Sequence, residues 1–517
     1  MLPLTDEQAA VVEAVRRGED LQVRAFAGSG KTTTLEAVAR DAASRRPGIR
    51  CLYLTFSRRL RDEAERRFPE TVTVLTNHAV AYREVGRPFA QRGKLRRGSL
   101  LANRVLLPDM LPRLRTDLLE WGYDGDAAAC IVLETIQNFL HSADPDVGPQ
   151  HVPEPVALLD REGRNGLAEA VADLARRAWG LLIDLGRPTY VNDDVYLKLY
   201  SLREPRLPYD LILFDEAQDA NPAMLDILLR QTHAQRIFVG DPHQQLYAWR
   251  GAVDAMEGLP WPVLALTQSF RFGEAIARLA TDILRTFKGE TRTIRGNPRM
   301  ASRVGPLRGA PAAILARTNA GVIEALVELT DVGIPAVSAV PIGDLTRAWL
   351  AAYDLRCGRR PQWPEFAVFR SWKHLRELVE RHPRIANQYG TYVGLVERYG
   401  DRTPAVCRAL EGRIPDAGND GAVPSGAVVV STVHRAKGRE WERVLLGGDF
   451  ERIVLVGPDG TVLTEEVHVA YVAATRAREA LDPGPLADVL ESGRRALRRA
   501  RPASGWAERL LRWLTGA

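Results

Sequence analysis

The chain has 517 residues, of which 45% are hydrophobic and 26% charged, and its formal net charge is +5. This composition is typical of a globular protein, and the length predicts two to four domains. No run of 18 apolar residues occurs and MLPLTDEQ lacks the pattern of a signal peptide, so we expect a cytoplasmic protein with no membrane partner. The four cysteines form no Cys-x-x-Cys pair, which disfavours a zinc site, an iron–sulfur site and a disulfide framework.

The first predicted elements are a strand and a helix joined by the glycine-spaced stretch RAFAGSGKTTTL, residues 24–35. Gly28 and Gly30 allow successive backbone N–H groups to converge on phosphate oxygens at a helix N-terminus. Lys31 then reaches the β- and γ-phosphates of a nucleotide, and the Thr32 hydroxyl ligates Mg²⁺. The pattern therefore predicts a nucleotide site, with a strand-to-helix turn that has incidental glycines as the alternative.

Lysine is rare in this chain, although basic residues are abundant. Of 70 lysine and arginine residues, only six are lysines, at positions 31, 94, 198, 288, 373 and 437. A lysine kept inside the glycine-rich loop indicates a site that needs a compact ammonium group, although chance retention also accounts for a single position. Two arginine-rich stretches, 91–97 and 493–501, are compatible either with phosphate-contacting surfaces or with solvated helix faces.

Two later segments have apolar residues at the i, i+3, i+4 spacing of amphipathic helices. They are AAACIVLETIQNFLHSA (127–143) and GLAEAVADLARRAWGLLIDL (166–185). We therefore expect a mainly helical region between the glycine-rich loop and the next strand.

An apolar strand that ends in two carboxylates follows, in LILFDEAQDA at residues 211–220. A buried parallel strand has this composition, and binding sites of α/β proteins lie at the carboxyl edge of the sheet. We expect Asp215 to hold Mg²⁺ through water, and Glu216 to orient and deprotonate the attacking water. Adjacent strand residues point to opposite faces, which suits two different roles. Solvated acids that cap a strand end are the alternative.

The next apolar strand breaks into a polar loop within RIFVGDPHQQLYAWRGA, residues 236–252. Gln244 is placed to reach a γ-phosphate or the attacking water. Tyr247, Trp249 and Arg250 form an aromatic and cationic cluster of the kind on which unpaired bases stack, at roughly 1–3 kcal/mol per base. A core position for Trp249 is the alternative, and this segment alone does not choose between the two.

Together these three segments resemble superfamily 1A DNA helicases of the UvrD, Rep and PcrA type, and the likeness extends along most of the chain. Further matching stretches are LTDEQAAVV (4–12), YLTFSRRLRDEAERRF (53–68), TNHAVAYREVG (76–86), LTQSFR (266–271), VVVSTVHRAKGREWERVLL (428–446) and EEVHVAYVAATRARE (465–479). So many elements in the family's order are far more specific than any one of them. The likeness is closest to the helicase core of the F-box DNA helicase branch, through VNDDVYLKLYSL (191–202), VGDPHQQLYAWRGAVDAM (239–256) and HRAKGREW (434–441).

The resemblance implies ATP and Mg²⁺ as cofactors and gives a role to each matching position. The residues implied in hydrolysis are Lys31, Asp215, Glu216, Gln244, Arg271 and Arg476, the two arginines acting on the phosphates. Those implied in nucleotide binding are Gln8 at the adenine edge, Phe270 stacked on adenine, and Ala27, Gly28, Ser29, Gly30, Lys31, Thr32, Thr33, Gly438 and Glu440. Thr32 and Asp215 are the implied metal ligands. The implied DNA contacts are Thr55, Phe56, Thr76, His78, Tyr247, Trp249, Arg250, Thr432 and His434.

Three features depart from the family pattern. Asn77 stands where many relatives have a base-contacting Phe. Thr33 replaces an arginine that lies beside the adenine, which predicts a weaker grip on the nucleobase. Relatives usually continue beyond the last motif into a further strand, but the Asp-Pro-Gly-Pro at 482–485 cannot form a central strand, so we expect an atypical end to the second motor domain.

The resemblance implies an α/β fold of two RecA-like P-loop motor domains with parallel sheets, each carrying a mainly helical insertion, and with ATP bound between them. The implied boundaries are 1–88 and 186–261 for the first motor domain, 89–185 for its insertion, 262–345 and 424–517 for the second motor domain, and 346–423 for a reduced second insertion. The strand PVLAL at 262–266 is expected to open the second motor domain.

Three functional hypotheses follow. The first is a 3′-to-5′ motor that hydrolyses ATP to move along single-stranded DNA and to unwind duplex or strip bound protein in repair or recombination. The second is a nucleotide-switch ATPase that binds DNA without processive translocation, and the third is a degenerate, structural member of the family. The complete catalytic set disfavours the third, and the line of implied DNA contacts favours the motor. We expect a monomer that binds single-stranded DNA and single-strand–duplex junctions, with a DNA-bound recombinase or single-strand-binding protein as a further candidate partner.

Overall fold

The computed structural model describes residues 3–500 except 97, 162–165, 247–252, 362, 364, 365, 367, 417–422 and 458. The chain forms two compact units, each built from discontinuous segments. The first unit draws on Met1–Ala25, Gly30–Leu266 and Thr346–Ala409, and the second on Phe26–Ser29, Thr267–Leu345 and Leu410–Ala517. Each unit contains a parallel six-stranded sheet with helices, which confirms the predicted α/β fold of two RecA-like domains.

The sheet of the first unit brings together strands that are far apart in the chain. They are β1 (Leu21–Ala25), β2 (Cys51–Thr55), β3 (Val72–Thr76), β4 (Leu211–Asp215), β5 (Gln235–Gly240) and β6 (Val263–Leu266). These strands are parallel and hydrogen-bonded in the order β3-β2-β4-β5-β1-β6. The central strand β4 is an apolar run whose residues are all buried, as expected for a strand covered on both faces. Because the strands are parallel, the residues that follow them share one edge of the sheet.

Helices cover this sheet and fill the segment between β3 and β4. In chain order they are α1 (Asp6–Arg16), α2 (Lys31–Arg45), α3 (Arg58–Arg67), α4 (Asn77–Ala81), α5 (Arg87–Gln91), α6 (Leu107–Met110), α7 (Gly125–Leu140), α8 (Glu154–Arg161), α9 (Leu167–Ile183), α10 (Asp193–Ser201) and α11 (Pro222–Leu229). The two helices predicted from apolar spacing are confirmed as α7 and α9, which pack against each other. Apolar residues of the sheet and of the helices that cover it form a buried hydrophobic core, which includes Val11, Val23, Leu35 and Leu213.

Two of the rare lysines hold main-chain loops in the helical part of the first unit. The buried Lys198 ammonium donates to the carbonyl oxygens of Ser142 at 2.7 Å and Asp144 at 2.6 Å, just beyond the end of α7. Lys94 is also buried, and it donates to the Asp184 carbonyl oxygen at 2.6 Å. An ammonium has three donors that reach separate carbonyls, which a planar guanidinium does less well. Lys94 is thus neither a solvated residue nor a phosphate contact, although it lies in the first arginine-rich stretch.

The second unit has its own parallel sheet. Its strands are β7 (Arg303–Val304), β8 (Ala313–Ala316), β9 (Ala336–Ser338), β10 (Val428–Thr432), β11 (Trp441–Leu446) and β12 (Ala477–Asp482). They are hydrogen-bonded in the order β7-β12-β11-β8-β10-β9. The residues of β10, VVVST, are all buried, which again is typical of a parallel strand with both faces covered.

The remaining helices follow in the second half of the chain. They are α12 (Glu274–Lys288), α13 (Asn319–Asp331), α14 (Ile342–Arg356), α15 (Trp372–Arg381), α16 (Pro383–Tyr399), α17 (Thr403–Arg413), α18 (Val433–Ala436), α19 (Thr464–Ala474) and α20 (Leu486–Ala500). The amphipathic α12 buries one apolar stripe that includes Ile276, Ile283 and Phe287. The helical segment Thr346–Ala409 groups with the first unit, although the sequence inserts it into the second. In the described part of the chain, no helix has the length and apolar character required to cross a bilayer.

The strand at PVLAL does not open the second sheet, so this expectation was wrong. Strand β6 pairs with β1 in the first sheet, with Leu264 opposite Val23. An apolar strand carries no local mark of the sheet that it joins. In this case β1 has β5 on one side, and β6 supplies the partner that its other edge lacks.

The second motor domain was expected to end atypically after the last motif, but the further strand that relatives have is present. Strand β12 lies between β7 and β11, and it ends at Asp482, before the first proline. Because Pro483 lies outside the strand, it costs no ladder hydrogen bond. The Asp482 carboxylate accepts the Gly484 N–H at 3.0 Å, which forms an Asx turn that ends the strand.

Candidate functional site

The glycine-rich loop joins β1 to α2 and is shaped by two glycines. Gly28 and Gly30 have φ angles of 72° and 79°, which favour glycine. Gly30 is the N-cap of the 15-residue α2, and no side chain caps that helix. The Ser29 hydroxyl is buried and has no hydrogen-bond partner among the described residues. An uncapped helix N-terminus next to an unsatisfied hydroxyl fits a phosphate group.

Four side chains that the sequence implicates in binding or hydrolysing a nucleotide lie together at the carboxyl edge of the first sheet. The Lys31 ammonium lies 3.1 Å from Glu216 Oε2, and the Thr32 hydroxyl donates to Asp215 Oδ2 at 3.2 Å. Asp215 is the last residue of β4, whereas Glu216 follows the strand with a left-handed φ of 57°. The expectation that both acids lie on the strand was therefore wrong, because a backbone turn separates them. Such strain in a residue other than glycine is typical of functional sites.

Three carboxylates surround one ammonium at this edge. Burial acts to lower the pKa of Lys31, but the carboxylates of Glu216, Asp215 and Asp241 raise it above its ordinary value. Burial and the adjacent Glu216 carboxylate raise the pKa of Asp215. The cluster thus has an excess of negative charge that a divalent cation would offset.

The donor set fits a magnesium ion that is bound together with a nucleotide. Among the described residues, no three or more His, Cys, Asp and Glu side chains form a group that could hold a metal. Mg²⁺ at a phosphate site needs few protein ligands, because phosphates and water fill its other positions. The Thr32 hydroxyl and the Asp215 carboxylate place two oxygen atoms 3.2 Å apart that could serve as such ligands.

Tyr53 contacts the acid pair, and sequence reasoning missed it. Its buried hydroxyl donates to Asp215 Oδ2 at 2.8 Å from the middle of β2. A tyrosine inside an apolar strand has the pattern of an ordinary core aromatic. Only the register of β2 against β4, in which Tyr53 lies opposite Leu213, brings the hydroxyl to Asp215.

Gln218 was also missed, and it connects the acid pair to the loop after β5. Its Nε2 donates to Glu216 Oε2 at 2.6 Å, and its Oε1 accepts the Asp241 backbone N–H at 3.0 Å. Asp241 Oδ2 accepts a hydrogen bond from Gln244 Nε2 at 2.6 Å. Gln244 is therefore linked to Glu216 through two intervening residues. A signal existed in the sequence, because Gln218 is a polar residue in a buried segment next to the acids.

The second unit brings together three residues that the sequence implicates at the nucleotide. Arg271 Nε donates to Glu440 Oε2 at 2.7 Å. Arg476 is almost fully buried, and its guanidinium donates to the carbonyl oxygens of Val472 at 3.0 Å and Arg439 at 3.4 Å. In this structure, both arginines are engaged by acceptors of their own unit.

Phe26–Ser29 belong to this second unit and contact its other residues closely. The Ala27 N–H donates to the Tyr471 hydroxyl at 3.1 Å, and the Phe270 N–H donates to the Gly28 carbonyl at 2.8 Å. A Cβ added at Gly28 would lie 2.6 Å from Arg271 Cβ. Glycine is therefore required at position 28 by packing as well as by its φ angle.

Comparisons with known proteins agree with these motifs. Residues 7–250 match a family model described as an AAA domain, and residues 416–482 match a UvrD-like helicase C-terminal domain. F-box DNA helicase protein 1 of Schizosaccharomyces pombe is 31% identical over 523 residues, which cover 92% of this chain and 57% of that protein. F-box DNA helicase 1 of Gallus gallus is 30% identical over 522 residues, which cover 92% of this chain and 48% of that protein.

The two family models and the two F-box relatives show that the chain is similar to UvrD-like helicases of superfamily 1. This confirms the resemblance inferred from the motifs, including the likeness to F-box DNA helicases. A probable DNA helicase of Mycoplasma pneumoniae is 27% identical over 285 residues, which cover 52% of this chain and 42% of that protein. This UvrD-like chain spans about half the length of the curated relatives it matches, at 57% and 48% of the two F-box proteins.

Both units of this UvrD-like chain repeat one arrangement at the end of a strand. Thr76 ends β3 and Thr432 ends β10, and each hydroxyl accepts a backbone N–H of the following helix at 3.3 Å. Both threonines are buried and act as helix caps. A histidine follows two positions later in each unit, at His78 and His434. His78 Nε2 lies 2.8 Å from Asp194 Oδ1.

The other implied DNA contacts of the UvrD-like chain differ in exposure. Phe56 follows β2 and is 53% exposed, whereas the side chain of Thr55 is fully buried and is not presented to a nucleic acid. Tyr247, Trp249 and Arg250 lie outside the described residues. The stacking expected of them stays a prediction.

Two implied nucleotide contacts of the UvrD-like chain have protein partners. Gln8 Oε1 accepts the Thr5 N–H at 3.0 Å in the capping box of α1. The Thr33 hydroxyl accepts a hydrogen bond from Arg67 at 3.0 Å. Gly438 has a φ of 78°, so glycine is favoured there by conformation. Their roles at a nucleotide remain predictions.

Proposed function

We propose that this chain is a DNA-dependent ATPase that moves 3′ to 5′ along single-stranded DNA and unwinds duplex or strips bound protein. The observation that carries the proposal is the cluster of Lys31, Thr32, Asp215 and Glu216, joined by contacts of 3.1 and 3.2 Å. Phosphoryl transfer requires these groups: a cation for phosphates, metal ligands and a base for water. Relatives named as DNA helicases support DNA as the substrate. The polarity rests on the superfamily 1A resemblance.

Each residue of the cluster has a distinct role in the proposed hydrolysis. The N-terminus of α2 and the Lys31 ammonium bind phosphate oxygens. Thr32 and Asp215 hold Mg²⁺, which when bound offsets phosphate charge and orients the nucleotide. Glu216 orients a water molecule and accepts its proton as the water oxygen bonds to the γ-phosphorus and the bond to the β-phosphate oxygen breaks.

We further propose that two arginines of the second unit act on the nucleotide. Arg271 and Arg476 match the family's arginine fingers, which account for roughly 10³–10⁵ in rate in other phosphoryl-transfer systems. Arg271 Nε is paired with Glu440 at 2.7 Å, and we propose that this ion pair rearranges when a nucleotide binds. Phe270, which is 44% exposed, is the proposed stacking partner of the adenine.

Phe56 supports the assignment of single-stranded DNA as the ligand. It is a large apolar residue with 53% of its surface exposed, and it follows β2 at the carboxyl edge of the first sheet. An exposed aromatic ring can stack on an unpaired base but has no such partner in duplex DNA, where the base faces are covered. We propose that His78 and His434 contribute further contacts to the strand.

The experiment that tests this function measures ATP hydrolysis without DNA, with single-stranded DNA and with blunt duplex. We expect stimulation by the single strand far above that by duplex, and a steep loss of affinity with salt. Phe56→Ala should raise the DNA concentration needed for half-stimulation by about tenfold, because one stacked base is lost. Val332→Ala is the control, since Val332 is 69% exposed and has no proposed role. Equal stimulation by blunt duplex would contradict the stacking assignment.

A further inference from the structure

We propose that Gln218 is a positioning residue that holds the Glu216 carboxylate for hydrolysis and ties it to the loop Gly240–Gln244. This inference rests on the proposed function, in which Glu216 accepts the proton of the attacking water. It concerns how the Glu216 carboxylate, the proposed general base, is held in place. It also concerns how a loop some two dozen residues away in sequence can affect the position of that carboxylate.

Glu216 requires a restraint from outside its own element. It follows β4 with a φ of 57°, so regular strand geometry does not set its direction. Its Oε2 accepts hydrogen bonds from Lys31 at 3.1 Å and from Gln218 at 2.6 Å. In the proposed cycle the Lys31 ammonium turns to the phosphates. Of these two donors, Gln218 is the one that stays hydrogen-bonded to Glu216. Gln218 is fully buried, so water does not compete for its amide.

The other end of the Gln218 side chain is fixed by the backbone of the loop. Its Oε1 accepts the Asp241 N–H at 3.0 Å. Rotation of the amide by 180° would set its NH₂ group against this N–H, so the observed orientation is the one that satisfies both ends. A Cβ at Gly240 would clash with Gln218 Oε1. Gly240 is not among the glycines with positive φ, so close approach is the reason for glycine here.

The same loop carries the residue implicated as a nucleotide sensor. Asp241 Oδ2 accepts a hydrogen bond from Gln244 Nε2 at 2.6 Å. A shift of this loop moves the Asp241 N–H, which in turn moves the amide that holds Glu216. The hydrogen bonds thus connect the loop to the Glu216 carboxylate. The geometry points to control of the hydrolysis rate by the loop, with nucleotide affinity left unchanged.

Gln218→Met tests the positioning role, because it removes both polar ends at nearly constant volume. We expect kcat for DNA-stimulated ATP hydrolysis to fall about 10- to 100-fold, as misplaced catalytic groups cause. The KM for ATP and the Kd for a fluorescent nucleotide should stay within about twofold. A loss confined to kcat separates positioning from general damage to the nucleotide site.

Gln231→Met is the matched control for the loss of buried hydrogen bonds. Gln231 is a buried glutamine of the same unit, and it joins the Leu207 N–H at 2.7 Å to the Ile227 carbonyl at 2.6 Å. The substitution should lower the thermal midpoint as much as Gln218→Met does, yet keep kcat. Gly240→Ala is a second variant that displaces the Gln218 amide without altering it, and we expect the same selective loss of kcat.

A double-mutant cycle with Glu216→Gln completes the test. If Gln218 acts through Glu216, then adding Gln218→Met to Glu216→Gln should cost nothing further in single-turnover hydrolysis. If the two substitutions acted independently, their rate reductions would multiply in the double variant, and that result would overturn the inference. The inference would also be overturned if kcat were unchanged in folded Gln218→Met and Gly240→Ala, or if Gln231→Met lowered kcat as much as Gln218→Met does. If the unaltered chain does not hydrolyse ATP, the proposed function itself falls, and the inference falls with it.

Discussion

Lys31 and Glu216 form an ion pair of 3.1 Å, yet the proposed mechanism gives them different tasks. In this arrangement each neutralises the other at the carboxyl edge of the first sheet. A nucleotide phosphate would replace Glu216 as the partner of Lys31, which leaves the carboxylate to act on water. The two residues should therefore fail in different ways when they are substituted.

We expect Glu216→Gln to bind nucleotide with nearly unchanged affinity but to lose hydrolysis by about 10²–10⁴-fold, because an amide does not accept the proton of the attacking water. Lys31→Ala should instead weaken nucleotide binding itself. Fluorescent-nucleotide titration and phosphate release, measured on both variants, check the division of roles. Lys373→Ala is the control, since Lys373 is 86% exposed. Identical behaviour of the two site variants would contradict the assignment.

At the residue scale, the sequence indicated candidate residues where function requires a fixed spacing, although it did not predict the contacts that join residues 185 and 183 positions apart. Lys31 and Thr32 follow the glycines directly, and Asp215 is next to Glu216, so they could be proposed as site residues from local pattern. Tyr53 could not, because its hydroxyl reaches Asp215 only through the register of two strands distant in sequence.

At the scale of elements, a buried lysine ties one helix to the loop that follows another helix. Lys198 in α10 donates to two carbonyl oxygens beyond α7, and its ammonium is fully buried. Burial lowers the pKa of Lys198 from 10.5 to about 8. The charge therefore costs free energy that the hydrogen bonds only partly offset, and this cost depends on pH.

We expect Lys198→Met to lower the free energy of unfolding at pH 7 by about 1–3 kcal/mol, since two partly buried carbonyls lose their donor. Lys198 loses its proton at a pH near 8 in the folded chain but only near 10.5 in the unfolded chain. Between these two pH values the unfolded state therefore binds more protons than the folded state. The unfolding free energy of the unaltered chain should therefore rise with pH relative to Lys198→Met, by up to about 3 kcal/mol.

Denaturant unfolding of both proteins at pH 7 and pH 9.5 measures this difference directly. Lys373→Met supplies the reference for an exposed lysine, and its difference from the unaltered chain should not change with pH. If the difference in unfolding free energy between the unaltered chain and Lys198→Met became smaller as the pH rises, that result would contradict the burial argument.

Elements were predicted well where their signal is local. The helices α7 and α9 follow from apolar spacing, because each buries one face along its own length. Strand pairing is not local, which is why β6 was assigned to the wrong sheet. For β12, the prolines were correctly expected to lie outside a central strand, but the strand itself precedes them and ends at Asp482.

At the scale of the whole molecule, the residues of one proposed cycle are divided between two units. Lys31, Asp215 and Glu216 belong to the first unit, and Arg271 and Arg476 to the second. Each unit also repeats the strand-end threonine and following histidine that the resemblance implies in DNA binding. In the proposed function, the nucleotide cycle that these residues share is coupled to steps along a strand.

Unwinding of tailed duplexes tests this central claim most directly. Two partial duplexes of the same sequence, one with a 3′ single-stranded tail and one with a 5′ tail, are incubated with the protein, with and without ATP, and strand separation is measured. We expect ATP-dependent separation of the 3′-tailed duplex alone, and none with Glu216→Gln. Separation of only the 5′-tailed duplex would contradict the polarity, and failure of single-stranded DNA both to stimulate ATP hydrolysis and to support separation would contradict the motor itself.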